Sequence, residues 1–285
     1  MCLCLVTNTP SQQLFHLTTS QKSIYRKNQV FLNQALYVTN VSVDRKATAI
    51  LIALTFVSGA VYAQSYSFDT CTASGRFGPS QSQCDSVYSG TNLEGDVDVA
   101  GEGIQEWTVP EGGIYEVRVA GAEGGDGCDS GSCGDIAPGA QGAVVEATFE
   151  LDEGQVLDIL VGQRGRTHFS GDGGGGGGGG TFVVPSSSPQ SPLLVAGGGA
   201  GGTENPGTDS SSRGTLKTSG NGDDDGASGG TDGQGAGGNG GAGLLGNGNS
   251  GAQSFINGGM GGGAEKPSGN GGFGGGAGND GNSGG

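Results

Sequence analysis

The chain has 285 residues, 66 of them glycine, and 28 acidic against 12 basic side chains give a formal charge of −16. Such a surface repels nucleic acid and anionic membranes and favours cationic partners, although acidity also serves plain solubility. A collagen triple helix is excluded, because the glycines follow no strict three-residue repeat and the chain holds only nine prolines.

Only Gly59 precedes residue 64. The first 63 residues instead carry Lys22, Arg26, Lys27, Arg45 and Lys46, then the apolar run ATAILIALTFVSGAVYA from Ala47 to Ala63. Basic residues, a short apolar stretch, and Val61 and Ala63 at the −3 and −1 places before Gln64 read as a secretory signal. Residues 1–63 are therefore expected to be a leader with its apolar region at 47–63, cleaved after Ala63. The alternative is an uncleaved anchor, but the run falls short of the roughly 20 residues that span a bilayer comfortably. Cleavage leaves seven basic against 27 acidic residues, a formal charge of −20. The one N-glycosylation sequon, Asn40-Val41-Ser42, leaves with the leader.

Cys2 and Cys4 would also leave, and Cys71, Cys84, Cys128 and Cys133 remain. An even number of cysteines in an exported chain argues for disulfides. Of the three possible pairings, proximity favours Cys71 with Cys84 and Cys128 with Cys133. Metal binding is the weaker option, since no histidine lies near them.

From residue 64 to about 162 the pattern is strands separated by turns. GIQEWTVPEGG places Gln105, Trp107 and Val109 on one face before a Pro-Glu-Gly-Gly turn. IYEVRVAG alternates Tyr115, Val117 and Val119 with Glu116 and Arg118; AVVEATFELDEG aligns Ala143, Val145, Ala147, Phe149 and Leu151. After the turn at Asp152 to Gly154, Leu157, Ile159 and Val161 share a face. No segment here has a convincing helical period, so an all-β sandwich or jelly roll is expected, with two inner faces supplying one core.

Beyond residue 162, short apolar strands (TFVV, PLLVA) sit among glycine-rich segments, including eight consecutive glycines from Gly173 to Gly180. Low hydrophobicity and many Gly and Ser read as disorder. Alternatively, glycine tracts form extended three-residue helices that pack side by side through backbone hydrogen bonds, glycine then being a packing requirement. The expected organisation is a sandwich with the first glycine-rich strands over 64–202 and a glycine-rich segment over 203–285 that is incomplete at its C-terminus.

The stretch YSFDTCTASGRFGPSQSQC (Tyr66 to Cys84), then GIQEWTVPEGGIYEVRVAGAEGGDG, LDILVGQRG, GGGGGGGGTFVV and PLLVAGGGAGG, resembles in the same order the extracellular glycine-rich domain of the anaplastic lymphoma kinase and leukocyte tyrosine kinase receptor family. The resemblance implies a TNF-like β-sandwich with a large glycine-rich insertion of packed polyproline II helices. It implies a Cys71–Cys84 disulfide; a Cys128–Cys133 pairing rests on spacing alone. It further implies capture of a small basic cytokine that pairs two receptors, with an extracellular or cell-surface location. The sequence stops at GNDGNSGG, before the sandwich's closing strands, membrane helix and kinase domain expected of such a receptor, so no ligand-contact residue transfers to it. A secreted structural glycine-rich protein of matrix or mucus with the same fold is the alternative.

No catalytic set is expected. His168 is the only histidine after the leader, no G-x-S-x-G elbow accompanies it, and the kinase lysine, H-R-D and D-F-G motifs are missing. It reads as a loop histidine beside the glycine tract. No cofactor is expected. Calcium is a lesser candidate: Asn221, Asp223, Asp225, Gly226 and Asp232 occupy positions 1, 3, 5, 6 and 12 of a calcium-loop pattern, but Asp232 replaces the usual glutamate and no helices flank it.

Overall fold

The computed structural model describes residues 4–9, 35–37, 55–57, 64–128, 136–168, 173–203, 240–248, 250–264 and 269–278. Along the chain run β1 (Cys4–Thr9), β2 (Ala35–Tyr37), β3 (Thr55–Val57), β4 (Gln64–Phe68), helix α1 (Gln81–Tyr88), β5 (Val97–Ala100), β6 (Ile104–Thr108) and β7 (Gly113–Ala120). There follow β8 (Gly127–Cys128), β9 (Ile136–Ala137), β10 (Val144–Leu151), β11 (Val156–Leu160), β12 (Thr181–Pro185) and β13 (Leu194–Ala196). The chain divides into Pro10–Ala63 and a larger unit made of Met1–Thr9 with Gln64–Gly285. In the smaller unit β2 and β3 pair antiparallel.

The larger unit is the expected all-β sandwich. Its antiparallel sheets have the orders β10-β7-β1-β4 and β13-β12-β11-β6-β5. Alternation built the first: Tyr115, Val117 and Val119 of β7 are buried while Glu116 and Arg118 face out. Trp107 of β6 ties the sheets together, its ring centroid 4.8 Å from that of Tyr66, 5.6 Å from Phe68 and 6.3 Å from Tyr115. Tilted and edge-to-face aromatic pairs at these separations stabilise beyond the area they bury.

Strands β11 and β12 depart from simple alternation, because both of their faces are covered. Leu157 and Ile159 join the inter-sheet core, while Leu160, Phe182 and Val184 form a second cluster with Leu244, Phe255 and Phe273 from the glycine-rich C-terminal segment. This double burial explains why TFVV reads as an unbroken apolar run.

Two elements differ from expectation. Helix α1 lies where the sequence showed no convincing helical period, for a physical reason: two turns are too few to establish one. Its marks are local, with Gln83 Oε1 accepting from the Ser80 amide at 2.9 Å across the helix start, and Cys84 and Tyr88 buried four residues apart. The second difference is β1, which lies within the expected leader yet sits inside the first sheet, with Cys4 and Val6 buried in the core.

Candidate binding platform

The glycine tract is a scaffold, and its hydrogen bonds define the form. From Gly175 to Gly180 the amides leave in three directions, each recurring every third residue. Gly175 and Gly178 donate to the carbonyls of Gly202 and Gly199 (both 2.8 Å); Gly176 and Gly179 donate to Arg166 (3.1 Å) and Gln163 (2.9 Å); Gly177 and Gly180 donate to Ala277 and Gly274 (both 2.9 Å). On the accepting side, the carbonyls of Gly173, Gly176 and Gly179 receive amides from Cys128, Gly125 and Ala122. A period of three toward every neighbour is the geometry of a polyproline II helix, which has no internal hydrogen bonds and here sends all of these to adjacent segments of the same chain.

Side chains have no room in this lattice. A Cβ on Gly175, Gly176, Gly178 or Gly179 would lie 2.0, 2.0, 2.3 or 1.7 Å from the carbonyl oxygens of Gly125, Asn270, Ala122 and Phe273. All residues from Gly173 to Gly180 are buried. Disorder is thus overturned for this tract, and its bare backbones gain satisfied hydrogen bonds that offset the entropy lost on ordering.

Asp126 clasps three of the segments. Its carboxylate accepts from Arg164 Nη2 at 2.8 Å, from the Gly139 amide at 3.1 Å and from Thr167 Oγ1 at 3.4 Å. Arg164 also lies 3.9 Å from Glu123. His168 is buried against the tract, its ring occupying the space where a Cβ on Gly173 would fall.

Cys71 and Cys84 form a disulfide that anchors α1. Cys71 and Thr72 hold φ values of 49° and 63°, a left-handed corner that the Cys71 amide steadies by donating to Asp69 Oδ1 at 2.7 Å. Behind it the buried Gln105 donates to the Asp69 carbonyl at 2.8 Å and accepts the Tyr88 hydroxyl. The sequence placed Gln105 on the inward face without showing what a polar residue would do there. Burial raises the Tyr88 hydroxyl well above the ordinary tyrosine range.

The outer face of β7 and β10 is rich in charge. Glu116 and Arg118 of β7 and Glu146, Thr148 and Glu150 of β10 are exposed side by side, with Glu146 opposite Arg118. Glu146 reaches to 3.9 Å from Arg118 and also takes a hydrogen bond with Glu116, which raises the Glu116 pKa above the usual carboxylate range. One guanidinium beside Glu146, with Glu116 on the same exposed face, leaves this patch with more negative than positive groups.

Cys128 is disulfide-bonded, and its partner lies outside the described residues, as does Cys133. The calcium-loop candidates Asn221, Asp223, Asp225 and Asp232 also lie outside them. Among the described residues, no group of three or more His, Cys, Asp or Glu side chains is placed to hold a metal ion, and no helix is long and apolar enough to cross a membrane.

No family model matches the chain. The chain is 42% identical over 101 residues to the leukocyte tyrosine kinase receptor of Mus musculus, an alignment that takes in 35% of this chain. It spans 11% of that receptor's length. The chain therefore contains a region related to the leukocyte tyrosine kinase receptor.

Proposed function

We propose that this chain is the extracellular ligand-binding glycine-rich module of a receptor tyrosine kinase of the leukocyte tyrosine kinase and anaplastic lymphoma kinase type. It captures a basic cytokine and brings two receptors together, and the catalytic half lies elsewhere in the parent protein. The observation that carries this reading is the 42% identity to a receptor tyrosine kinase over 101 residues. Two features support the choice of ligand chemistry. The formal charge is −16, and the exposed β7–β10 face gathers Glu116, Glu146 and Glu150. Opposite charge speeds encounter and selects basic partners, in a salt-dependent way.

The test is to read the transcript beyond the Gly285 codon and to express the encoded protein on cells. A membrane helix followed by kinase motifs, with a small basic cytokine raising receptor phosphotyrosine, is the expected result. A stop codon shortly after Gly285, with the product held in the extracellular matrix, overturns it in favour of a secreted structural protein.

A further inference from the structure

We propose that the position between β4 and β7 is a strand-acceptor groove, whose occupant in the full chain is that chain's own segment Cys4–Thr9, held there as an exchangeable plug. In the first sheet β4 is an edge strand whose ladder hydrogen bonds run to β1. The plug runs antiparallel to both neighbours, with Cys4 opposite Phe68 and Val119, Val6 opposite Tyr66 and Val117, and Asn8 opposite Gln64 and Tyr115. Because β1 opposes both, β4 and β7 run parallel to one another, so the groove offers two facing ladders of amides and carbonyls to one incoming strand.

The pattern such a strand needs is legible in the occupant. Two inward positions, filled by Cys4 and Val6, are fully buried among Tyr66, Phe68, Val117 and Val119. The requirement is thus an extended segment with small apolar side chains at alternate positions, its main chain supplying the affinity. Exchangeability follows from the connection. No tight hairpin fixes β1 to β4; residues 10–63, which cluster as a separate unit, lie between them. A short strand separated from its groove by so many intervening residues is retained by effective concentration, and an added peptide of the same pattern competes with it.

The experiment uses the full chain in two double variants, Thr7→Cys with Glu116→Cys and Leu5→Cys with Arg118→Cys, each joining residues that face one another across β1 and β7. Dibromobimane should link each pair within one molecule, identified by peptide mapping, and should leave Thr7→Cys with Glu150→Cys unlinked. A fluorescent peptide LCLVTNTP with alanine for its cysteine should bind each unlinked variant and lose at least tenfold in affinity once the plug is linked. Several results would overturn the proposal: failure of both pairs to link, links only between molecules, a folded product whose N-terminus is Gln64, or peptide binding that is absent or indifferent to linkage.

Discussion

A methyl group on Gly179 would place its carbon 1.7 Å from the carbonyl oxygen of Phe273. Backbone cannot yield as a side chain does, so Gly179→Ala should destabilise by about 3 kcal/mol or more, at or beyond the upper end of overpacking costs. Gly197 supplies the control, since a Cβ there meets nothing within 4 Å, and Gly197→Ala should stay within about 0.5 kcal/mol of wild type. Thermal melts of the two variants make the comparison. Equal midpoints would mean that the tract is not packed as described.

Gln105 holds the Asp69 carbonyl and the Tyr88 hydroxyl behind the Cys71–Cys84 disulfide. Gln105→Leu removes both contacts and leaves the carbonyl buried without this donor, a loss of about 1–3 kcal/mol. Differential scanning calorimetry should show a midpoint lowered by several degrees. Reducing the disulfide should cost about 3 kcal/mol on the chain-entropy account, read as a shift in denaturant midpoint.

Burial pushes the Cys4 thiol up to about 12 and the Tyr115 hydroxyl up to about 12, with Tyr66 and Glu111 adding to the latter, and burial raises Tyr66 and Tyr88 as well. A folded-state pKa above the unfolded value favours the neutral, folded form. The stabilisation is complete below about pH 9 for the thiol and pH 10 for the hydroxyls, then fades as pH rises toward 12. Absorbance at 295 nm should therefore show these tyrosines ionising late and together with unfolding, whereas ionisation near pH 10 without unfolding would contradict their burial.

Asp126 joins segments through Arg164, Gly139 and Thr167. Asp126→Ala should cost about 1–2 kcal/mol, since one charge-assisted and two neutral-donor bonds go together. Asp126→Asn should recover part of this, because an amide oxygen still accepts from the Gly139 N–H. Hydrogen exchange at Gly139 is the direct readout: faster in the alanine variant, intermediate in the asparagine one.

The half-buried strands were the most legible part of this molecule. Tyr115, Val117, Val119, Trp107 and Leu157 fall on the core side because alternation is written residue by residue. Leu160 and Phe182 were harder, since the surface that covers them comes from Leu244, Phe255 and Phe273, far along the chain. Helix α1 escaped because its evidence lies in Ser80 and Gln83 rather than in any repeat. Composition left the glycine tract open between disorder and lattice, because glycine carries no side chain to mark a face; only the identity of its neighbours decides. Of the platform, Glu116 was legible as an outward residue, but its hydrogen bond with Glu146 depends on the pairing of β7 with β10.

The lattice also constrains when the molecule can be finished. Gly177 and Gly180 close onto Ala277 and Gly274, so a ribosome that has just released Gly180 has made a core helix whose last neighbour is still unsynthesised. Until that neighbour emerges, the amides of those two glycines stay with water, and this part of the lattice matures after translation of its own sequence, as expected for contacts between distant parts of a chain. Chaperones would meet that half-built form in the interval, and an interruption between Gly180 and Gly274 would strand it there.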